Sequence, residues 1–297
     1  MKGHLKRVAL IAVTWLAGLS GGLPARAQEP SATARLHEIR LMIMDPGQIF
    51  SISATLAELD GLERGLGSEQ ADPTGHGELN YARGFLHYRA GRPEQAVGPM
   101  QTALRIDEGS HFLNEKERAR FTYQLADQAE ELKRWDTAVD AYRKASAAFE
   151  ADPAVSEDQR AGTLERLAYC LHEARRFGEA RTINERVLAI GERLFGGDSD
   201  KLLVVITNLA QNTYELGDFD AARRYLDRRL AIATAKDHSS HVDDALFQLG
   251  VLSFERGQKR EAEDFMTRRL EIARRSGDHA RITAAEEALT ILHEKNR

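Results

Sequence analysis

The densest set of metal-ligating side chains in this sequence is His238-Ser-Ser-His241, with Asp237 and Asp243 on either side. Imidazole and carboxylate are groups that zinc takes, but no further strong ligand is fixed by the spacing. The set reads as loop and helix-capping residues, and no metal is assigned. Asp198-Ser-Asp200 has the opening of a calcium loop without its remainder, and N-capping accounts for it. Cys170 is the single cysteine and can form no internal disulfide. It sits in the apolar stretch Leu167-Ala-Tyr-Cys-Leu171 with no cation beside it to lower its pKa, so it is expected to be a small buried side chain. Asp127, Glu130 and His172 are the residue types of acid–base catalysis. No phosphate-binding glycine loop, Gly-x-Ser-x-Gly or His-Glu-x-x-His accompanies them. Paired carboxylates such as Glu130-Glu131 and Asp243-Asp244 read as solvated helix faces. No catalytic residue and no cofactor is assigned.

The elements that would position these groups are set by a repeat. Ala96, Ala138, Ala180, Ala222 and Ala262 are spaced by 42, 42, 42 and 40 residues. Twelve residues before each lies another small residue: Gly84, Ala126, Ala168, Ala210 and Gly250. Two helices joined by a short turn approach closely only where a small side chain sits at the crossing. One small residue per helix at fixed separation is the demand of an antiparallel helical hairpin. Gly91, Gly217 and Gly257 mark the turn, where glycine supplies a left-handed residue without a Cβ penalty. Lys133 and Arg175 occupy the same column, so those two turns are expected to end differently. Trp135, Phe177 and Phe219 follow shortly after, as plugs for the open end of the hairpin. Gly196-Gly-Asp-Ser-Asp200, Asp152-Pro-Ala-Val-Ser156 and Asp237-His-Ser-Ser240 punctuate between hairpins, stopping one helix and offering caps to the next.

The text from Leu209-Ala-Gln-Asn-Thr-Tyr-Glu-Leu-Gly-Asp-Phe-Asp-Ala-Ala222 to Leu230 resembles a tetratricopeptide repeat. The 42-residue spacing is similar to the longer kinesin-light-chain type, and the likeness runs over residues 77–276 in five units. Arg229 and Arg269 stand where that family has a small residue, which suggests looser, more exposed packing in the last two repeats. The resemblance implies an all-α fold, an α-solenoid superhelix of tandem hairpins with about twelve helices. It also implies that the first helix of each hairpin lines a concave face. Positions three before, one after and four after the first small residue would point there, and helical periodicity places each trio on one stripe. The stripe holds Tyr81, Phe85 and Tyr88; Tyr123, Asp127 and Glu130; Glu165, Tyr169 and His172; Thr207, Gln211 and Tyr214; and Phe247, Val251 and Phe254. Eight of the chain's eighteen Tyr and Phe residues fall on it, and aromatics beside polar groups are what binding hot spots use. Asn208 matches an asparagine that in this family holds a bound peptide's backbone, with Gln124 and Gln248 in its column. Glu131, Glu173, Glu215 and Glu255 would give the groove an acidic margin and favour a basic partner.

Residues 28–68 read as an arm and a helix pair broken at Asp45-Pro-Gly47, taken as a divergent first repeat because Ala54 lies 42 residues before Ala96. Residues 278–297 read as one capping helix, since a stack of hairpins leaves apolar faces open at its ends. Residues 1–27 have the layout of a secretory signal peptide: basic Lys2, Lys6 and Arg7, an apolar run from Val8 to Leu19, then Ala25-Arg26-Ala27. The run is short for a membrane span, which leaves an uncleaved anchor as the other reading. Removing four of the 41 basic residues moves the net charge from −5 to −9, which argues against nucleic acid or an anionic membrane as partner. The expectation is an exported, non-catalytic module of the bacterial periplasm or extracellular space that binds a protein or peptide segment. A small-molecule or carbohydrate binder, and an enzyme built on Asp127, Glu130 and His172, are the alternatives.

Overall fold

The computed structural model describes residues 30–294, so the expected signal peptide lies outside the described residues. Thirteen α-helices and no strand occur among them. Two come first, α1 (Ala32–Met44) and α2 (Ile52–Glu63). Five hairpins follow: α3 (Pro73–Arg89) with α4 (Pro93–Ser110), α5 (Glu115–Glu131) with α6 (Trp135–Ala151), and α7 (Glu157–Glu173) with α8 (Phe177–Phe195). Then come α9 (Leu203–Glu215) with α10 (Phe219–Ala235), and α11 (Ser239–Glu255) with α12 (Lys259–Ser276). A last helix, α13 (His279–Glu294), covers α12 and buries Ala285 and Leu292. Each second helix also packs on the first helix of the next hairpin, so the repeats form one continuous stack.

The helices start where side chains can satisfy their free N–H groups. Asp72 and Ser156 cap α3 and α7, with Pro73 at the first position of α3. Asn114 and Glu117 cap α5 reciprocally. Every small residue of the two crossing columns is buried. Gly84 and Gly250 are the two glycines there, and each faces a methionine of its partner helix, Met100 and Met266, at a distance a Cβ would violate. The hairpins whose partner helix carries Tyr142, Asn184 or Leu226 in that column have alanine instead.

The five turns close in one geometry, contrary to the expectation for two of them. Lys133 and Arg175 are left-handed, with φ of 55° and 59°, as are Gly91, Gly217 and Gly257. In all five the left-handed N–H donates to the carbonyl three residues back, and the next N–H to the carbonyl five back. Those two bonds satisfy orphan carbonyls at the helix end and hold a lysine and an arginine where glycine is favoured. Asp237 is left-handed too and closes α10, so it caps nothing in α11, while Gly196 ends α8 and Ser199 caps a short 3-10 turn.

The N-terminal pair is not a repeat. Ala54 is exposed and marks no helix crossing, and α1 and α2 touch only lightly. α1 instead lies along α3, burying Leu36, Ile39 and Ile43. Its Arg40 is buried and pairs with Glu78 of α3 at 2.6 Å and Glu117 of α5 at 2.8 Å. The pair is thus bound to the stack across two hairpins.

Arg229 and Arg269 are also unlike their expectation, because both are covered. Arg229 is 3% exposed and donates to Gln248 at 3.0 Å. Arg269 holds Asp243 through two bonds of 2.9 and 3.0 Å and stands 5.0 Å over the Phe247 ring. Arg229 ties the fourth hairpin to the fifth, and Arg269 ties the two helices of the fifth to each other. On the second-helix face, Lys144, Arg186 and Arg228 pair with Glu108, Glu150 and Glu192 of the preceding hairpin. Such exposed pairs contribute about 0.2–1 kcal/mol each, so they fix register more than stability.

Candidate functional site

Neighbouring first helices are joined side by side, which brings their stripes onto one face. His172 of α7 donates from Nδ1 to Asn212 of α9 at 2.7 Å. The Tyr214 hydroxyl of α9 donates to Glu255 of α11, and this bond pushes the phenol up to about 12. Arg166 of α7 pairs with Glu130 of α5 at 2.8 Å.

The expected site residues divide into covered and open groups. Tyr81 and Phe85 are buried: Tyr81 stacks on Phe121 of α5 at 4.1 Å, and Arg40 of α1 lies over its ring. They are packing residues, because the N-terminal pair roofs the stripe of the first hairpin. Glu130 is buried as well and is a partner of Tyr142 and Arg166, not an open acidic contact. Tyr88, Tyr123, Asp127, His172, Asn208, Tyr214 and Phe254 are half-buried, and Gln211 is open. Tyr169 and Phe247 are 45% and 42% exposed. Of the margin, Glu131, Glu173, Glu215 and Glu255 are all exposed. The open face therefore runs from α5 to α11 and not from α3.

Several residues of this face are not among the expected members of the stripe. The Trp135 ring stands edge-on to Tyr169, centroids 6.0 Å apart and planes at 88°. Phe177 and Phe219 stand against His172 and Tyr214 at 5.2 and 5.6 Å, so the residues expected as plugs brace the stripe. Arg166 occupies the column of Gln124, Asn208 and Gln248, and that shared register is the signal that could have found it. Tyr142 donates to Asp127 at 2.6 Å, and its oxygen is 2.9 Å from Glu130. Burial pushes the Glu130 carboxyl and the Tyr142 phenol up.

Asp127, Glu130 and His172 do not converge, because His172 turns to Asn212 while the carboxylates share Tyr142. Cys170 is buried and its thiol is pushed up to about 12 by that burial. His238 bonds Asp200, His241 approaches Arg229, and Asp243 is held by Arg269, so three separate partners take that set. No helix among the described residues is long and apolar enough to cross a membrane.

Tandem hairpins in two layers, first helices on one face and second helices on the other, define a helical-repeat solenoid. Residues 159–235 match the tetratricopeptide repeat family model. The crystal structure of BtubC (BKLC) from P. vanneervenii is similar over 81% of this chain and 93% of that one, with 21% identity and a TM-score of 0.51. The apo form of RapI is similar over 89% of this chain and 71% of that one, with 15% identity and a TM-score of 0.59. At these identities the likeness is one of fold. No curated protein matches the sequence.

Proposed function

We propose that this protein is an exported, non-catalytic interaction module that holds a segment of another protein against the first-helix face from α5 to α11. The observation that carries this reading is the exposure of Tyr169 and Phe247 on that face, with Gln211 and Asn208 between them. Large rings are costly to leave in water, and a partner that covers them gains their burial. The helices beneath are already fixed by packing and by bonds between hairpins, so little ordering cost falls on this side of the complex. The basic, apolar and small-residue succession of residues 1–27 supports export, to the periplasm or outside the cell.

Photo-crosslinking in the native cell tests this, with probes at Tyr169, Gln211 and Phe247 and a control at Arg186 on the second-helix face. The expected result is a discrete protein adduct from the three groove positions and none from the control. Equal labelling from Arg186, or no adduct at any groove position, would overturn the reading. Amino-terminal sequencing of the protein from the envelope fraction checks export, with Gln28 expected as the first residue.

A further inference from the structure

The third hairpin is built unlike its neighbours where its two helices cross. In the crossing column of the second helices stand Met100, Tyr142, Asn184, Leu226 and Met266. Four of these fill the crossing with a large apolar or aromatic group, and the Tyr142 hydroxyl has its acceptor in Asp127 at 2.6 Å. Asn184 is 1% exposed, and no protein group donates to its Oδ1. A buried acceptor without a donor destabilises the state that buries it, and each one in a native structure asks for a reason. Packing does not supply that reason, because the fourth hairpin accommodates Leu226 in the same column with alanine facing it, as Ala168 faces Asn184.

The apolar core parts at this layer. Val139 and Tyr142 of α6 pack in one body with Leu167, Cys170 and Leu171 of α7 and Ala180 of α8, and that body runs back to α1. Leu164 of α7 and Val187 and Leu188 of α8 belong to a second body, which runs on through α9 to Phe265 of α12. Asn184 lies one turn from Ala180 and one turn from Leu188, between the two. Among the described residues, half-buried Ile183 alone packs against both. Besides Asn184, α8 buries Ala180, Val187 and Leu188 along its nineteen residues, whereas α6 and α10 bury seven and six along seventeen. Polar contacts bridge the bodies, His172 to Asn212 at 2.7 Å and Arg181 to Asp218 at 3.3 Å. Solvent-accessible pairs of the second kind add little and break and re-form readily. The stability of a repeat stack is a sum of repeat and neighbour contributions, so a weak internal repeat lets the two ends move separately.

We propose that the third hairpin is a hinge, at which the solenoid bends about the Asn184 crossing and the first two hairpins swing against the last two. Tyr169, beside Cys170, moves with the first body, and Phe247 on α11 with the second. Bending therefore changes the separation of the two exposed rings. The hinge does not depend on what the open face binds.

Pairs of spin labels measure the bending in the full chain. Asp136→Cys with Asp220→Cys puts labels at equivalent exposed positions of α6 and α10, across the third hairpin. Glu94→Cys with Gly178→Cys puts them at the same positions of α4 and α8, across the second. Cys170 is buried and does not compete for label in the folded chain. The distance distribution across the third hairpin should be roughly twice as wide as that across the second, and Asn184→Leu should narrow it to match. Equal widths with Asn184 in place, or a width unchanged by Asn184→Leu, would overturn the hinge. Should Asn184→Leu fail to fold, hydrogen exchange of the unlabelled native chain decides the matter. The amides of residues 183–188 should exchange roughly tenfold faster than those of residues 141–146 and 225–230, a difference of about 1.4 kcal/mol in local opening. Protection there equal to that of α6 and α10 would also overturn the hinge.

Discussion

The five hairpin turns share one backbone geometry with three residue types, so the cost of a side chain in the left-handed column can be measured within one protein. Lys133→Gly removes a left-handed strain of about 1–2 kcal/mol. It adds about 0.5–1 kcal/mol of unfolded-chain freedom, because glycine is looser when unfolded. Lys133 is exposed and forms no ion pair, so a net stabilisation of about 0.5–1 kcal/mol is expected from these two terms. Arg175→Gly gains the same but loses a guanidinium 5.7 Å over the Phe177 ring. That contact is worth about 0.5 kcal/mol at an exposed site, which brings the net gain near zero. The reverse change, Gly217→Ala, puts a Cβ where nothing lies within 4 Å, so its cost of about 0.5–1 kcal/mol is a backbone cost alone. Urea unfolding reads these as shifts of midpoint at constant slope, and thermal unfolding as shifts of about 1–3 °C. A neutral Gly217→Ala, or a Lys133→Gly no better than Arg175→Gly, would refute the reasoning.

Gly84→Ala would place a Cβ 2.5 Å from Met100 Cγ and 3.1 Å from the Met100 backbone nitrogen, so it should cost about 1–3 kcal/mol in thermal unfolding. Gly250→Ala meets the flexible end of Met266, Cε at 2.5 Å, and the helix preference of alanine, about 1 kcal/mol, should make it neutral or better. Arg269→Met strands the buried Asp243 carboxylate and should cost about 3–5 kcal/mol, most of which Asp243→Leu in the same chain should restore. If the double variant melts as low as the single one, the charge pair is not the cause. Glu130 has a folded pKa raised by burial, so its contribution is most favourable at low pH and fades as pH rises from the ordinary carboxylate value through the raised one. Glu130→Gln should therefore gain on the native protein in melts taken from about pH 4 to pH 7, and a pH-independent difference would contradict this.

What the sequence makes legible is what close packing forces at fixed intervals. The crossing columns had to be small because two helix axes meet there, and glycine rather than alanine appears where the facing residue is methionine. The handedness of Lys133 and Arg175 is not legible, since two backbone hydrogen bonds outweigh a residue preference that composition alone reports. Arg229 and Arg269 read as exposed because they are charged. Their acceptors lie 12 to 26 residues away across a turn, and no periodicity ties them together. Tyr81 and Phe85 share the columns of the open stripe, but α1 roofs them, and the docking of α1 on α3 follows no repeat. The charged columns of the second-helix face recur at 42 residues, yet each bond spans 36, so the pairing emerges only once the stagger of successive hairpins is known. Gln128 is invisible in sequence because an amide announces nothing until its surroundings leave it unpaired.

The roofing of the first hairpin also gives the proposed face a direction. At the α5–α7 end stand exposed Glu131 and the Trp135–Tyr169 ring pair; at the α11 end stand Phe247, Val251 and Phe254. Four first helices at about 10 Å spacing span about 30 Å, which an extended chain at about 3.3 Å per residue crosses in roughly nine residues. A segment fitting both ends therefore carries a lysine or arginine and a bulky apolar residue roughly seven to nine positions apart. Tyr169 on α7 and Phe247 on α11 are two such spacings apart, about 20 Å, so crosslinks from them, mapped on the captured partner, should fall roughly six residues apart, with the cation on the Tyr169 side. Were both probes to label adjacent residues, the segment would cross the face instead of running along it. Only contacts at one end could then select the partner, and the register of the stripe would have no part in recognition.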